Sequence, residues 1–129
     1  MKYLGIDFGS KRVGVAVSDD GGKIAFPYSV ISNDDNLFVE ILKIIKEEKI
    51  GSIVMGESKD FAGKPNIIMK EIKKFKKLLE EKIKLPVSFE PEFMTSNQAR
   101  QVVGKNEMED ASAAAIILQS YLDKNSHML

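Results

Sequence analysis

Residues 3–18, YLGIDFGSKRVGVAVS, decide the fold of this chain. The runs Tyr3–Phe8 and Arg12–Ser18 are rich in apolar and β-branched residues. The three residues between them, Gly9-Ser10-Lys11, have the length and chemistry of a turn that closes a hairpin. The segment therefore predicts two antiparallel strands at the start of the chain.

The rest of the chain alternates apolar runs of strand length with stretches in which apolar residues recur at helical spacing. A three-stranded meander followed by strand–helix–strand units predicts an α/β fold. Its mixed five-stranded sheet should be flanked by helices, because each crossover returns parallel to its neighbour. The further predicted elements are a strand over Ile24–Ile31, a helix from the cap region Ser32–Asp34 to Lys49, a strand over Ser52–Met55, a loop over Gly56–Lys64, a helix from about Pro65 to Lys84, a strand over Pro86–Glu90, a short helix from Thr95 to Gly104 and a last helix over Glu109–Lys124.

Length and composition restrict the classes of protein that this sequence can form. The 129 residues suit one domain, which we expect over residues 1–124, with a flexible tail over 125–129. Cysteine is absent, which excludes disulfides, thiol catalysis and cysteine-ligated metals. Lysine plus arginine and aspartate plus glutamate number 19 each, so any affinity for nucleic acid must come from local charge. No run approaches the roughly 20 apolar residues of a membrane span, and we expect a cytoplasmic protein without membrane contact.

Asp7 is an acidic residue inside an apolar strand. Strand alternation puts it on the face of Tyr3 and Gly5, away from Leu4 and Ile6. A buried carboxylate is costly unless it binds a cation, accepts several hydrogen bonds or is protonated. Asp7 is therefore a cation ligand, a strand-end acceptor for the amides of the next turn, or a protonated carboxyl group.

Other acidic residues fall where a cation site could form. Glu90 and Glu92 flank the end of the fifth predicted strand, and Asp110 lies in the first turn of the last helix. Mg²⁺ and Mn²⁺ prefer oxygen ligands, and two such ions about 3.5–4 Å apart can activate water in phosphodiester hydrolysis. On placement alone, interaction with the helix dipole is the more usual role for an aspartate at the position of Asp110, and one of the two glutamates could be solvated.

The turn after Asp7 carries groups that suit a phosphate. A short glycine turn with a hydroxyl and two cations can receive a phosphate beside a metal, and here these residues are Gly9, Ser10, Lys11 and Arg12. The alternative is a plain hairpin turn with solvated side chains. The stretch 70–84 holds seven lysines against three glutamates, a pattern that is usually only a solvated helix face.

The segment Leu4–Asp19, LGIDFGSKRVGVAVSD, closely resembles the opening of the YqgF family of Holliday-junction-resolvase-like and pre-16S ribosomal RNA nucleases. Three later segments extend the resemblance over nearly the whole chain. They are Val54-Met55-Gly56 with Gly63, Glu92 with Met94-Thr95-Ser96, and the helix from Asp110 to Leu122.

The resemblance implies a ribonuclease H-like fold and a nuclease that depends on one or two Mg²⁺ or Mn²⁺ ions. It implies that Asp7, Glu92 and Asp110 bind the metal and catalyse the reaction, while the turn residues bind nucleic acid. The implied substrate is structured RNA or branched DNA. The corresponding reactions are 5′-end processing of precursor 16S ribosomal RNA and Holliday-junction cleavage.

Two segments depart from the family pattern. Pro91-Glu92-Phe93 stands where the family usually has Asp-Glu-Arg, so the glutamate lacks its neighbouring acid and cation; Glu57-Ser58 stands where it tends to have Leu-Pro. These differences leave a second hypothesis open, a non-catalytic nucleic-acid-binding or ribosome-assembly protein on the same fold. An actin-like or sugar-kinase-like ATPase, whose phosphate hairpin also begins Asp-x-Gly-Ser, needs two large lobes that 129 residues cannot supply.

Overall fold

A computed structural model describes residues 1–57, 67–91 and 107–126. The described ranges contain five strands and three helices, and none of these helices is long and apolar enough to cross a membrane. The helix predicted over Thr95–Gly104 lies outside them. In chain order the elements are β1 (Lys2–Phe8), β2 (Arg12–Ser18), β3 (Ala25–Ser32), α1 (Leu37–Glu47), β4 (Ile50–Glu57), α2 (Ile67–Ile83), β5 (Val87–Pro91) and α3 (Glu107–Ser126).

The five strands form one mixed sheet in the order β3-β2-β1-β4-β5. The pairs β1–β2 and β2–β3 are antiparallel, whereas β1–β4 and β4–β5 are parallel. The predicted α/β fold with a mixed five-stranded sheet is therefore confirmed. Because β1, β4 and β5 run in the same direction, their carboxyl ends share one end of the sheet, where the β1–β2 turn also lies.

The two faces of the sheet differ in side-chain size. Leu4 and Ile6 are fully buried in a core of large apolar residues beneath α1 and α2. Gly5 lies on the other face, where a Cβ would come within 2.8 Å of the Cβ of Leu118 in α3. Ala114 of α3 is fully buried there as well. Small residues on both surfaces thus let α3 lie close to the sheet, and the predicted alternation along the first strand is confirmed.

Two local predictions differ from the structure. The polar residues Ser32–Asp34 do not cap α1, whose N-cap is Asn36. Instead, the Asp34 carboxylate accepts a hydrogen bond from the Asn36 amide at 2.9 Å, which shapes the loop before the helix. Strand β4 also extends through Gly56 and Glu57, which the sequence assigned to a loop, because both pair with β5.

The turn between β2 and β3 is held by a carboxylate. Hydrogen bonds from the amides of Ile24 and Lys23 to Asp19 hold the pKa of Asp19 below its ordinary value. The Ser18 hydroxyl, buried beside this turn, accepts a hydrogen bond from the Tyr3 amide at 2.8 Å. These contacts lie at the end of the sheet opposite the β1–β2 turn.

Candidate functional site

Asp7 lies near the carboxyl end of β1, on the face of the sheet that α3 covers. It is partly exposed, and the hairpin register sets it directly opposite Gly14 of β2. Residues paired in this way have Cα atoms about 4.5–5.5 Å apart. Whatever packs on Gly14 is therefore a close neighbour of Asp7.

The start of α3 packs on Gly14. A Cβ at this position would overlap the carbonyl group of Asp110 and lie 3.0 Å from the Ala111 amide nitrogen. Only glycine permits the helix backbone to lie so close to β2. As a result, Asp110 and Asp7 lie at the same end and on the same face of the sheet, although 103 positions separate them in the chain.

The β1–β2 turn begins two residues after Asp7. The Gly9 amide donates to the Arg12 carbonyl at 3.0 Å, and a Cβ on Gly9 would lie only 2.5 Å from that oxygen. Ser10, Lys11 and Arg12 are exposed. The turn therefore presents a hydroxyl and two cations to solvent beside Asp7.

Asn33 fixes this turn from the neighbouring loop. Its side-chain Nδ2 donates to the Gly9 carbonyl at 2.7 Å, and its amide donates to the Lys11 carbonyl at 2.9 Å. The sequence pattern did not indicate this role. The pairing register of β2 with β3 could have revealed it. Ser32 pairs with Arg12, so the next residue, Asn33, must lie beside the β1–β2 turn.

Arg12 forms an ion pair with Asp110. Its Nε lies 2.9 Å from Asp110 Oδ2, with 57% of the arginine side chain and 30% of the aspartate side chain exposed. A residue predicted to bind phosphate thus contacts a residue predicted to bind metal. The pair connects the turn to the start of α3.

Of the two glutamates near the end of β5, only Glu90 is described; Glu92 lies outside the described residues. The Glu90 side chain is 5% exposed, and its Oε2 accepts hydrogen bonds from Ser120 Oγ at 2.8 Å and from Lys124 Nζ at 2.6 Å. These contacts attach the second half of α3 to β5. Glu90 of β5 is thus buried against α3 and is not solvated.

The donor chemistry at this end of the sheet suits a hard divalent cation. Asp7 and Asp110 supply carboxylate oxygens on one face, and Asp110 already holds a cationic group, the guanidinium of Arg12. Within residues 1–57, 67–91 and 107–126, no group of three acidic or histidine side chains could hold a metal ion. The predicted set of three ligands includes Glu92, which those ranges do not contain.

The lysine-rich helix is α2, on the opposite face of the sheet from Asp7. Its buried residues include Ile72 and Phe75, and the exposed side away from them carries a row that we call the α2 lysine row. One lysine of the row lines an open surface cavity of about 550 Å³, and Ser10 of the β1–β2 turn lines the same cavity. The row consists of Lys70, Lys73, Lys74 and Lys77, and the member at the cavity is Lys74.

The fold is similar to that of two solved Holliday junction resolvases. Thermus thermophilus RuvC in complex with a Holliday junction substrate superposes with a TM-score of 0.64 at 15% identity, over 98% of this chain and 96% of that one. The yeast mitochondrial Holliday junction resolvase Ydc2 superposes with a TM-score of 0.56 at 15% identity, over 98% of this chain and 79% of that one.

The family itself follows from sequence comparison. The model of the RuvX family, described as Holliday junction resolvase, matches residues 1–124. A protein of Maridesulfovibrio salexigens named "Putative pre-16S rRNA nuclease" is 36% identical over 132 residues, which cover 95% of this chain and 98% of the relative. A protein of the same name from a Sulfurihydrogenibium species is 36% identical over 133 residues, which cover 97% of this chain and 92% of the relative. The chain belongs to the RuvX (YqgF) family and is a nuclease of that kind, which confirms the resemblance found in the sequence.

Proposed function

We propose that this protein is a metal-dependent endonuclease that hydrolyses phosphodiester bonds in structured RNA, with the 5′ end of precursor 16S ribosomal RNA as its cytoplasmic substrate. The observation that carries the proposal is the packing of α3 on Gly14, which puts Asp110 on the same face and at the same end of the sheet as Asp7. The names of the two relatives support RNA as the substrate.

The proposed site combines a cation-binding face with a phosphate-binding turn. Asp7 and Asp110 would hold Mg²⁺ or Mn²⁺, with Glu92 as the third ligand by its family position. When bound, one or two such ions activate the attacking water and stabilise the leaving oxygen. Gly14 keeps the two aspartates at their spacing by admitting the helix backbone.

The turn would bind the nucleic-acid backbone next to those aspartates. The backbone at Gly9, the Ser10 hydroxyl and the two cations of Lys11 and Arg12 are the groups available to a phosphate. Asn33 holds the turn in place through its two hydrogen bonds. Since the chain has a formal net charge of +0, this local positive charge has to supply the attraction for a polyanion.

A cleavage assay tests this proposal. Labelled precursor 16S ribosomal RNA and a labelled four-way DNA junction are incubated with the protein in Mn²⁺ or in chelator. Asp7→Asn is the site variant, and Asp20→Asn is the matched control, since Asp20 is an exposed aspartate at the opposite end of the sheet. We expect RNA cleavage in Mn²⁺ by the wild type and the control, and none in chelator or with Asp7→Asn.

The assay also separates the competing functions. Preferred cleavage of the junction would show that the substrate is branched DNA and not RNA, in agreement with the family's description as Holliday junction resolvase. Binding of either probe without cleavage, unchanged by Mn²⁺, would establish the non-catalytic alternative. Cleavage that persists in Asp7→Asn would exclude the proposed site.

A further inference from the structure

The ion pair between Arg12 and Asp110 engages two residues that the proposed reaction needs elsewhere. Arg12 Nε lies 2.9 Å from Asp110 Oδ2, so the guanidinium occupies one oxygen of a proposed metal ligand. The same guanidinium is one of the two cations that the turn offers to a phosphate. The guanidinium and a divalent cation would compete for the negative charge of Asp110, just as Asp110 and a phosphate compete for the positive charge of Arg12.

We propose that Arg12 exchanges Asp110 for a nucleic-acid phosphate when a divalent cation binds, so that this one side chain couples cation binding to nucleic-acid binding. The proposal rests on the proposed function, because it takes the cation site and the phosphate site from it. In the absence of cation, the guanidinium neutralises Asp110. A cation at the aspartates replaces that charge and releases Arg12 to the phosphate.

The exposure of the pair favours such an exchange. More than half of the Arg12 side chain is open to solvent, and Asp110 is partly open, so the contact can break without leaving a buried charge behind. Asp110 is held through its backbone on Gly14, whereas Arg12 is the first residue of β2 and its long side chain is 57% exposed. The arginine is therefore the partner that can move.

Thermodynamic linkage makes the coupling reciprocal. If a cation at Asp110 raises the affinity of Arg12 for phosphate, then phosphate on Arg12 must raise the affinity for the cation by the same factor. An exposed ion pair contributes little free energy, so breaking it should change the affinity for the cation or for the phosphate by only about two- to five-fold.

A double-mutant cycle in chelator tests the competition without any catalysis. Fluorescence anisotropy of a labelled precursor 16S ribosomal RNA fragment is measured for the wild type, Asp110→Asn, Arg12→Gln and the double variant. Asp110→Asn should bind about two- to five-fold more tightly than the wild type because it releases Arg12. That gain should disappear in the Arg12→Gln background and persist in a Lys11→Gln background. A gain of equal size in both backgrounds would reflect general charge and would overturn the proposal.

Calorimetric titration with Mn²⁺ alone supplies a second measurement. Arg12→Gln should increase the Mn²⁺ affinity more than Lys11→Gln does, although each variant removes one positive charge from the same turn. Equal increases in Mn²⁺ affinity for the two variants would overturn the proposal that Arg12 exchanges partners. If no variant binds RNA in any condition, the proposed function fails, while the Mn²⁺ comparison still decides whether Arg12 competes for Asp110.

Discussion

The contact between Gly14 and α3 can be tested by adding a single methyl group. In Gly14→Ala, the new Cβ would overlap the Asp110 carbonyl and lie 3.0 Å from the Ala111 nitrogen. Restoring a contact distance of about 3.5 Å requires α3 to move by more than about 1 Å. Overpacking of this kind costs roughly 1–3 kcal/mol, which exceeds the roughly 0.4–1 kcal/mol that alanine contributes by restricting the unfolded chain.

We therefore expect Gly14→Ala to lose about 2 kcal/mol of unfolding free energy, since a helix backbone yields less readily than a side chain. For a chain of 129 residues this corresponds to a Tm lower by about 7 °C. Thermal unfolding followed by circular dichroism in chelator measures the loss. Calorimetry should also show weaker Mn²⁺ binding, because Asp110 moves away from Asp7.

Two other glycines provide a graded comparison. At Gly5 the nearest atom to an added Cβ is the Leu118 Cβ at 2.8 Å, so Gly5→Ala should lose less stability than Gly14→Ala. At Gly21 the nearest atom is an Asp19 carboxylate oxygen at 3.5 Å, an ordinary contact, and Gly21→Ala should unfold like the wild type. A Tm for Gly14→Ala equal to that of Gly21→Ala would refute the argument that glycine sets the spacing of α3.

Three further outcomes are expected. Asp7→Asn should remove cleavage and Mn²⁺-induced stabilisation while keeping the wild-type circular-dichroism spectrum in chelator; an unfolded variant would assign Asp7 a structural role. Replacing Lys11 and Arg12 with alanine should lower the salt dependence of binding by up to about two phosphate contacts, roughly 0.9 per contact on duplex DNA. The same replacement of the α2 lysine row should have the smaller effect, and the reverse order in a salt titration would place the substrate across α2. The pKa of Asp19 is lower in the folded state than in the unfolded chain. Its charged form therefore stabilises the fold at pH values above the pKa of the unfolded chain, and this stabilisation is lost as the pH falls through the pKa of the folded state. Asp19→Asn should therefore flatten the decline of Tm below about pH 4, and an unchanged profile would contradict this.

Local sequence determined the first hairpin and the two faces of the sheet. Gly9-Ser10-Lys11 predicts the first hairpin because a short glycine turn between two β-rich runs has few other conformations available. The period of two along β1 separates Asp7 from Leu4 and Ile6, and this follows from strand geometry alone. The family resemblance of Leu4–Asp19 added the expectation of a ribonuclease H-like nuclease, which the fold and the family match confirm.

The partners of the site residues depended on the tertiary structure. Nothing near Arg12 in the chain indicates Asp110 as its partner, because 98 positions separate them and only the docking of α3 on Gly14 brings them together. Asn33 likewise reaches the turn only through the pairing of β3 with β2. Sequence periodicity reports which face a side chain occupies. The contacts across that face depend on how the helix and sheet pack, which is set by the size of every residue between them.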